Sequence, residues 1–137
     1  MLIKSSLEYR QGTFLHFRIG RLRKVYELTE TGRERFQQLM EQPLEYNAET
    51  ERHFHFKMVY FQYVTKDVRL ACLEQYLKFL QTTYKYVANL EAQIISQKPS
   101  PEKQRIQLLR VFEHRKHVGA ADIEWITTEI ERIKKEE

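Results

Sequence analysis

The sequence is poor in the residues that staple, punctuate or cross. It holds one cysteine, four glycines and three prolines in 137 residues. Cys72 alone cannot form an internal disulfide or supply a thiolate cluster, which fits a reducing compartment. So little glycine and proline excludes collagen-like and low-complexity chains. No run approaches the ~20 apolar residues needed to cross a bilayer. The opening MLIKSSLEYR carries Lys4 where a secretory signal has its apolar stretch. From these absences the expectation is a cytoplasmic chain with no membrane association. Catalytic signatures are missing too: there is no G-x-S-x-G, no Gly-rich phosphate loop and no H-E-x-x-H. The expectation is a protein that is not an enzyme and has no cofactor.

What is present is a composition of 42% hydrophobic and 31% charged residues, enough apolar matter for one helical core. Charge is unevenly spread. Up to Tyr26 there are six basic side chains (Lys4, Arg10, Arg18, Arg21, Arg23, Lys24) against Glu8, a net of +5 in a chain whose total is +4. A basic end on a near-neutral body is the footprint of a segment that meets a polyanion, most often nucleic acid; scattered solvated arginines give the same count.

Texture changes once along the chain. Leu2 to Leu28 reads as strand, with Gly12 and Gly20 as punctuation and TFLHFRIGRLRK between the two halves, so a basic β-hairpin with a long tip is expected. Everything after Thr29 has helical spacing. Thr29 or Thr31 can cap a first helix through Arg35, Phe36, Leu39 and Met40, which Pro43 ends. A second begins near 48–51 and carries HFHFKMVYFQYV, apolar on nearly all sides and therefore expected to be buried on several faces. Asp67 is expected to cap a third helix reaching about Ser96, with apolar residues at Leu70, Leu73, Leu77, Leu80, Tyr84, Val87 and Ile94 and a neighbouring stripe of Tyr76, Phe79, Tyr86 and Leu90. KPSP at 98–101 breaks the helix. The fourth, about Glu102 to Lys134, repeats the three-four spacing at Leu109, Phe112, Lys116, Gly119, Ile123, Ile126, Ile130 and Ile133.

The fold class expected is mainly α: a basic β-hairpin followed by four helices, two of them long and antiparallel, forming a dimerisation domain. Two long helices with surplus apolar surface are explained by a second copy of the chain, packed about a twofold axis through Leu77, Leu80, Tyr84, Val87, Gly119, Ile123, Ile126 and Ile130. A monomeric bundle, with the short helices covering the surplus, is the alternative.

RKVYELTETGRERF (23–36) resembles the second wing strand and following helix of the PadR family of winged-helix transcriptional regulators. HFHFKMVYFQYVTKDVRLACLEQYLKFL resembles that family's helical C-terminal domain, and DIEWITTEI its closing helix. The resemblance implies a partial winged-helix unit at 1–42 (wing hairpin and following helix) and a helical dimerisation domain at 43–137. It implies a DNA-binding repressor acting as a homodimer, with Arg18, Arg21, Arg23, Lys24 and Tyr26 of the wing on the DNA. The chain departs from the family in lacking, before the wing, residues for a complete helix-turn-helix. Only weak, phosphate-directed DNA contact is therefore expected. The alternative function is an interaction module that does not read DNA and that dimerises with itself or with a full-length relative. Some members of the family bind small phenolic or planar molecules, which makes Phe56, Tyr60 and Tyr63 a candidate pocket for an aromatic effector.

No metal site is expected. His53 and His55 lie two apart on a helix and diverge by about 200°. His114 and His117 stand one turn apart with two cations, Arg115 and Lys116, between them. Cys72, in an apolar run, is expected to be a structural thiol, and the remaining aromatics core.

Overall fold

A computed structural model describes residues 9–19 and 22–136 of the chain. In order they form β1 (Tyr9–Ile19), β2 (Leu22–Leu28), α1 (Glu30–Glu41), α2 (Thr50–Val59), a 3-10 turn at Phe61–Tyr63, α3 (Lys66–Gln97) and α4 (Glu102–Lys134). The chain divides into two compact units, Met1–Gln42 and Pro43–Glu137.

In the first unit β1 and β2 pair antiparallel, with the register running from Tyr9 opposite Leu28 to Ile19 opposite Leu22 and an irregularity between Gln11 and Leu15. This corrects the expected wing. Leu15–Ile19 of TFLHFRI lie inside the paired ladder and not in a long tip, Thr13 and Phe14 fall in the irregularity, and the sheet has two strands only. From Thr29 onward the described chain holds helices and connections and no strand. A wing is a hairpin mounted on a helix-turn-helix core, and two strands alone are marginal in water. The mainly helical expectation holds in the four helices; the wing does not, because the described residues hold only a two-stranded ladder. In α1, Thr29 Oγ1 accepts the Gly32 amide at 3.0 Å, as expected of a capping threonine. Gly32, Phe36 and Met40, spaced by four, are its buried face.

The second unit is an antiparallel pair of long helices with α2 packed at its open end. Lys116 meets Glu91 at 2.7 Å, and Lys66 Nζ donates to the Lys134 and Glu136 carbonyls at 3.0 and 2.6 Å, so α4 runs back along α3. These lysine contacts, with Arg69 bound to Glu136 at 2.8 Å, satisfy carbonyls and a carboxylate at the α4 C-terminus, where the helix dipole favours cations. Thr65, two residues before the expected Asp67, caps α3 through the Val68 amide, and Asp67 sits in the first turn.

The core gathers Leu44, Phe54, Cys72, Leu73, Tyr76, Leu80, Ile126, Ile130 and Ile133. The Phe54 and Tyr76 rings stack with centroids 3.9 Å apart. The expectation of a second helix buried on several faces is corrected here: only Thr50 and Phe54 of α2 are buried, while His55 and Val59 are exposed. The helix stops at Val59 and gives way to the 3-10 turn, so HFHFKMVYFQYV is not one helix.

Thr50 is fully buried and was not legible as structural from sequence. Its Oγ1 accepts the Asn47 amide at 2.7 Å and donates to the Glu45 carbonyl at 2.7 Å, while Asn47 Oδ1 accepts the Glu49 amide. This closes the 43–49 segment, which is also held by Leu44 N donating to Gln75 Oε1 and Tyr46 Oη donating to the Gln75 carbonyl. Thr50→Val keeps the shape and strands the Asn47 amide. The expected cost is about 1–3 kcal/mol in a urea melt, and an unchanged midpoint would refute this role.

Candidate functional site

The helix pair is where the chain presents shaped, chemically mixed surface, and its seams account for that surface. Leu80, Val87, Ile126 and Ile130 are buried within one chain. Leu77 and Ile123 pack against the same core, and Gly119 comes so near Tyr84 that a Cβ there would lie 3.3 Å from its ring. The eight residues expected between copies are therefore mostly spent inside a single copy, and the interface assignment is corrected accordingly. A three-four seam states that a helix face is covered; the antiparallel return of α4 covers it at the entropic cost of a four-residue connection, with no second chain required.

Displaced by one residue from that seam runs a stripe the sequence reading passed over: Gln104, Leu108, Val111, Arg115, Val118, Asp122 and Trp125 of α4. Its spacing is also three-four, so it forms a continuous line about 100° around the helix from the core face. Val111 is 51% exposed, Val118 46% and Trp125 52%, and these values mark them as surface residues despite their chemistry. The signal was available as a second heptad in the α4 sequence, masked by the stronger one beside it.

Two grooves follow this line. One, of about 230 Å³, lies between α3 and α4 and is bordered by Thr83, Val87, His114, Arg115, Val118 and Asp122. The other, of about 460 Å³, lies at the connection and is bordered by Pro99, Pro101, Gln104, Leu108 and Val111. On α3 the neighbouring Tyr86 is exposed and Leu90 half-buried, so part of the second aromatic stripe does remain uncovered. Arg115 and Asp122 make no salt bridge with the described residues.

The other expected sites are placed as follows. Arg18 stands opposite Arg23 in the strand register and Phe17 opposite Lys24, with Tyr26 opposite Gln11 and Leu15; Arg21 lies outside the described residues. Phe56, Tyr60 and Tyr63 form a chain of tilted rings, with centroids 5.5 and 6.4 Å apart, and line neither groove. Burial, then the neighbouring Tyr63, raises the Tyr60 phenol above its usual range. His53 is half-buried, and His55, His114 and His117 are exposed. Among the described residues no three His, Cys, Asp or Glu side chains are grouped to hold a metal, and no helix is long and apolar enough to cross a membrane.

Cys72 and Tyr76 share the core, and burial sets their chemistry. It pushes the thiol from 9.0 up to about 11, against the opposing pull of Lys57. It pushes the phenol from 10.0 up to about 12, with Glu51 and Asp122 adding to it. Both groups hold their protons more tightly folded than unfolded, so their contribution to stability is complete below pH 9 and is lost as pH rises toward 12. Urea midpoints followed by circular dichroism are expected to be flat up to pH 9 and to fall between pH 9 and 12; a midpoint unchanged at pH 11 would contradict the assignment.

No family model, curated protein or solved structure matches the chain.

Proposed function

We propose that the chain is a dimeric, PadR-like transcriptional regulator whose helical unit assembles two copies and whose basic N-terminal segment contacts DNA phosphates. The charge distribution carries this reading: the net +5 up to Tyr26 exceeds the +4 of the whole chain. Two of those cations, Arg18 and Arg23, occupy directly opposed positions. Phosphate contact carries no sequence information, so binding by this segment is weak and insensitive to base sequence.

A salt titration with fluorescent duplex DNA tests it. Four phosphate contacts, from Arg18, Arg21, Arg23 and Lys24, correspond to a log–log slope of about −3.6 per chain, roughly doubled for a dimer. Changing Arg18, Arg23 and Lys24 together to Ala is expected to cut that slope by about 2.7 per chain. A slope unaffected by the substitutions refutes the assignment of the contact. Failure of the unaltered chain to bind duplex at low salt favours a second reading, a protein-interaction module without a nucleic-acid partner, which the exposed α4 stripe supports.

A further inference from the structure

Charge is divided along α4 as it is along the whole chain. Residues 98–117 hold six Lys or Arg (Lys98, Lys103, Arg105, Arg110, Arg115, Lys116) against Glu102 and Glu113, while 118–131 hold four acids (Asp122, Glu124, Glu129, Glu131) and no cation. Three of the six cations meet carboxylates: Lys116 with Glu91 at 2.7 Å, Arg110 with Glu113 at 2.7 Å and Arg105 with Glu102 at 3.7 Å. Lys98, Lys103 and Arg115 are exposed and make no ion pair with the described residues. These three bracket the larger groove. Lys98 adjoins Pro99 and Lys103 adjoins Gln104 at one end, Arg115 stands one turn beyond Val111 at the other, and Leu108 and Val111 lie between. Arg105 donates to the Lys98 and Pro99 carbonyls at 3.3 and 3.1 Å, which ties the helix connection to α4 and holds the groove's shape before anything enters it.

The geometry points to this groove as the docking site for a short acidic peptide segment of a partner protein. Apolar side chains in the middle of the segment rest on Leu108 and Val111, and its carboxylates meet Arg115 at one end and Lys98 and Lys103 at the other. Charge selects the occupant: cations without acidic partners favour carboxylates, whose pairing with Arg is bidentate. The apolar floor narrows the choice. A DNA backbone supplies anions but no apolar group to fill about 460 Å³, and a bilayer surface is too flat to enter a groove. Length agrees as well. Lys103 and Arg115 are twelve residues apart on α4, about 18 Å along its axis, which an extended peptide spans with about five or six residues. The acids of 118–131 repel a longer acidic segment and so mark where the site ends. The inference goes beyond the DNA contact of the proposed function and needs neither that contact nor a dimer.

The test uses the full chain and a fluorescein-labelled hexapeptide with blocked ends, Asp-Asp-Leu-Leu-Asp-Asp, followed by fluorescence anisotropy. Because the N-terminal cations also attract acids, every titration is repeated in a chain carrying Arg18→Ala, Arg23→Ala and Lys24→Ala. Saturable binding with a Kd on the order of 100 μM or tighter is expected in both backgrounds. Arg115→Glu is expected to weaken it about tenfold, and Val111→Asp, which sets a carboxylate against the apolar middle of the peptide, by as much again. Both positions are exposed, so the helical circular dichroism is expected to stay unchanged. Replacing the two leucines of the peptide by glycine is expected to cost about tenfold as well. No saturable binding up to about 1 mM overturns the inference, as does binding that is lost in the N-terminal triple variant and untouched by Arg115→Glu. A glycine peptide that binds as tightly as the leucine one also overturns it, and identifies the cations as a general anion surface. Duplex DNA binding that falls with Arg115→Glu, while peptide binding does not, assigns the surface to nucleic acid instead; loss of DNA binding in the N-terminal triple variant alone bears only on the proposed function.

Discussion

Ile126→Asp is expected to unfold the 43–137 unit, with the helical circular dichroism of that unit lost in plain buffer at 25 °C. Ile126 is 2% exposed, in the cluster with Leu73, Tyr76, Leu80 and Ile130. The substitution removes a buried aliphatic side chain and inserts a carboxylate, and Asp122, one helical turn away, is a charge of the same sign. The combined loss is on the order of 5 kcal/mol or more, against a total stability of about 5–15 kcal/mol for a domain. Val118→Asp on the same helix is the matched control. Val118 is half-exposed, so its aspartate stays hydrated and the unit stays folded. Retained cooperative folding of Ile126→Asp would mean that the α3–α4 seam is not the core of a single chain, and that the interface expected from sequence had been correctly placed after all.

Phe54→Ala is the second large effect. Phe54 is 1% exposed and stacks on Tyr76 at 3.9 Å, and it is the main apolar side chain by which α2 joins the long helices. Removing the ring forfeits its burial and opens a cavity that Tyr76 and Leu44 refill only in part. The cost is about 3–5 kcal/mol. Because the segment 43–49 is held to α3 through Gln75, α2 is expected to loosen before the long helices do. Hydrogen exchange should show the α2 amides losing protection first. Uniform loss across α2, α3 and α4, or a urea midpoint within error of the unaltered chain, would show that α2 is not an independently docked element.

The sequence by itself determined where three of the four helices run, and where the second begins but not where it stops. Thr29, Pro43 and the KPSP break end or begin elements through local chemistry: a hydroxyl that accepts an amide, and rings that cannot donate one. Three-four spacing likewise identified the faces of α3 and α4 that are covered, down to Leu80, Val87, Ile126 and Ile130. Periodicity carries no label for what does the covering, because a helix of the same chain and a helix of another present the same surface. Tertiary structure decided that those seams close on each other. It thereby uncovered the stripe from Leu108 to Trp125, whose residues are conspicuous only once their neighbours are seen to be occupied. Thr50 shows the same limit at the scale of one side chain. A threonine at a helix start reads as an ordinary polar residue, and only the fold of 43–49 over it places the Asn47 amide and the Glu45 and Asn47 carbonyls around its hydroxyl. The second helix shows it in reverse: HFHFKMVYFQYV is apolar enough to be buried on every side, but burial requires partners, and the two long helices pair with each other and leave α2 only the face around Phe54.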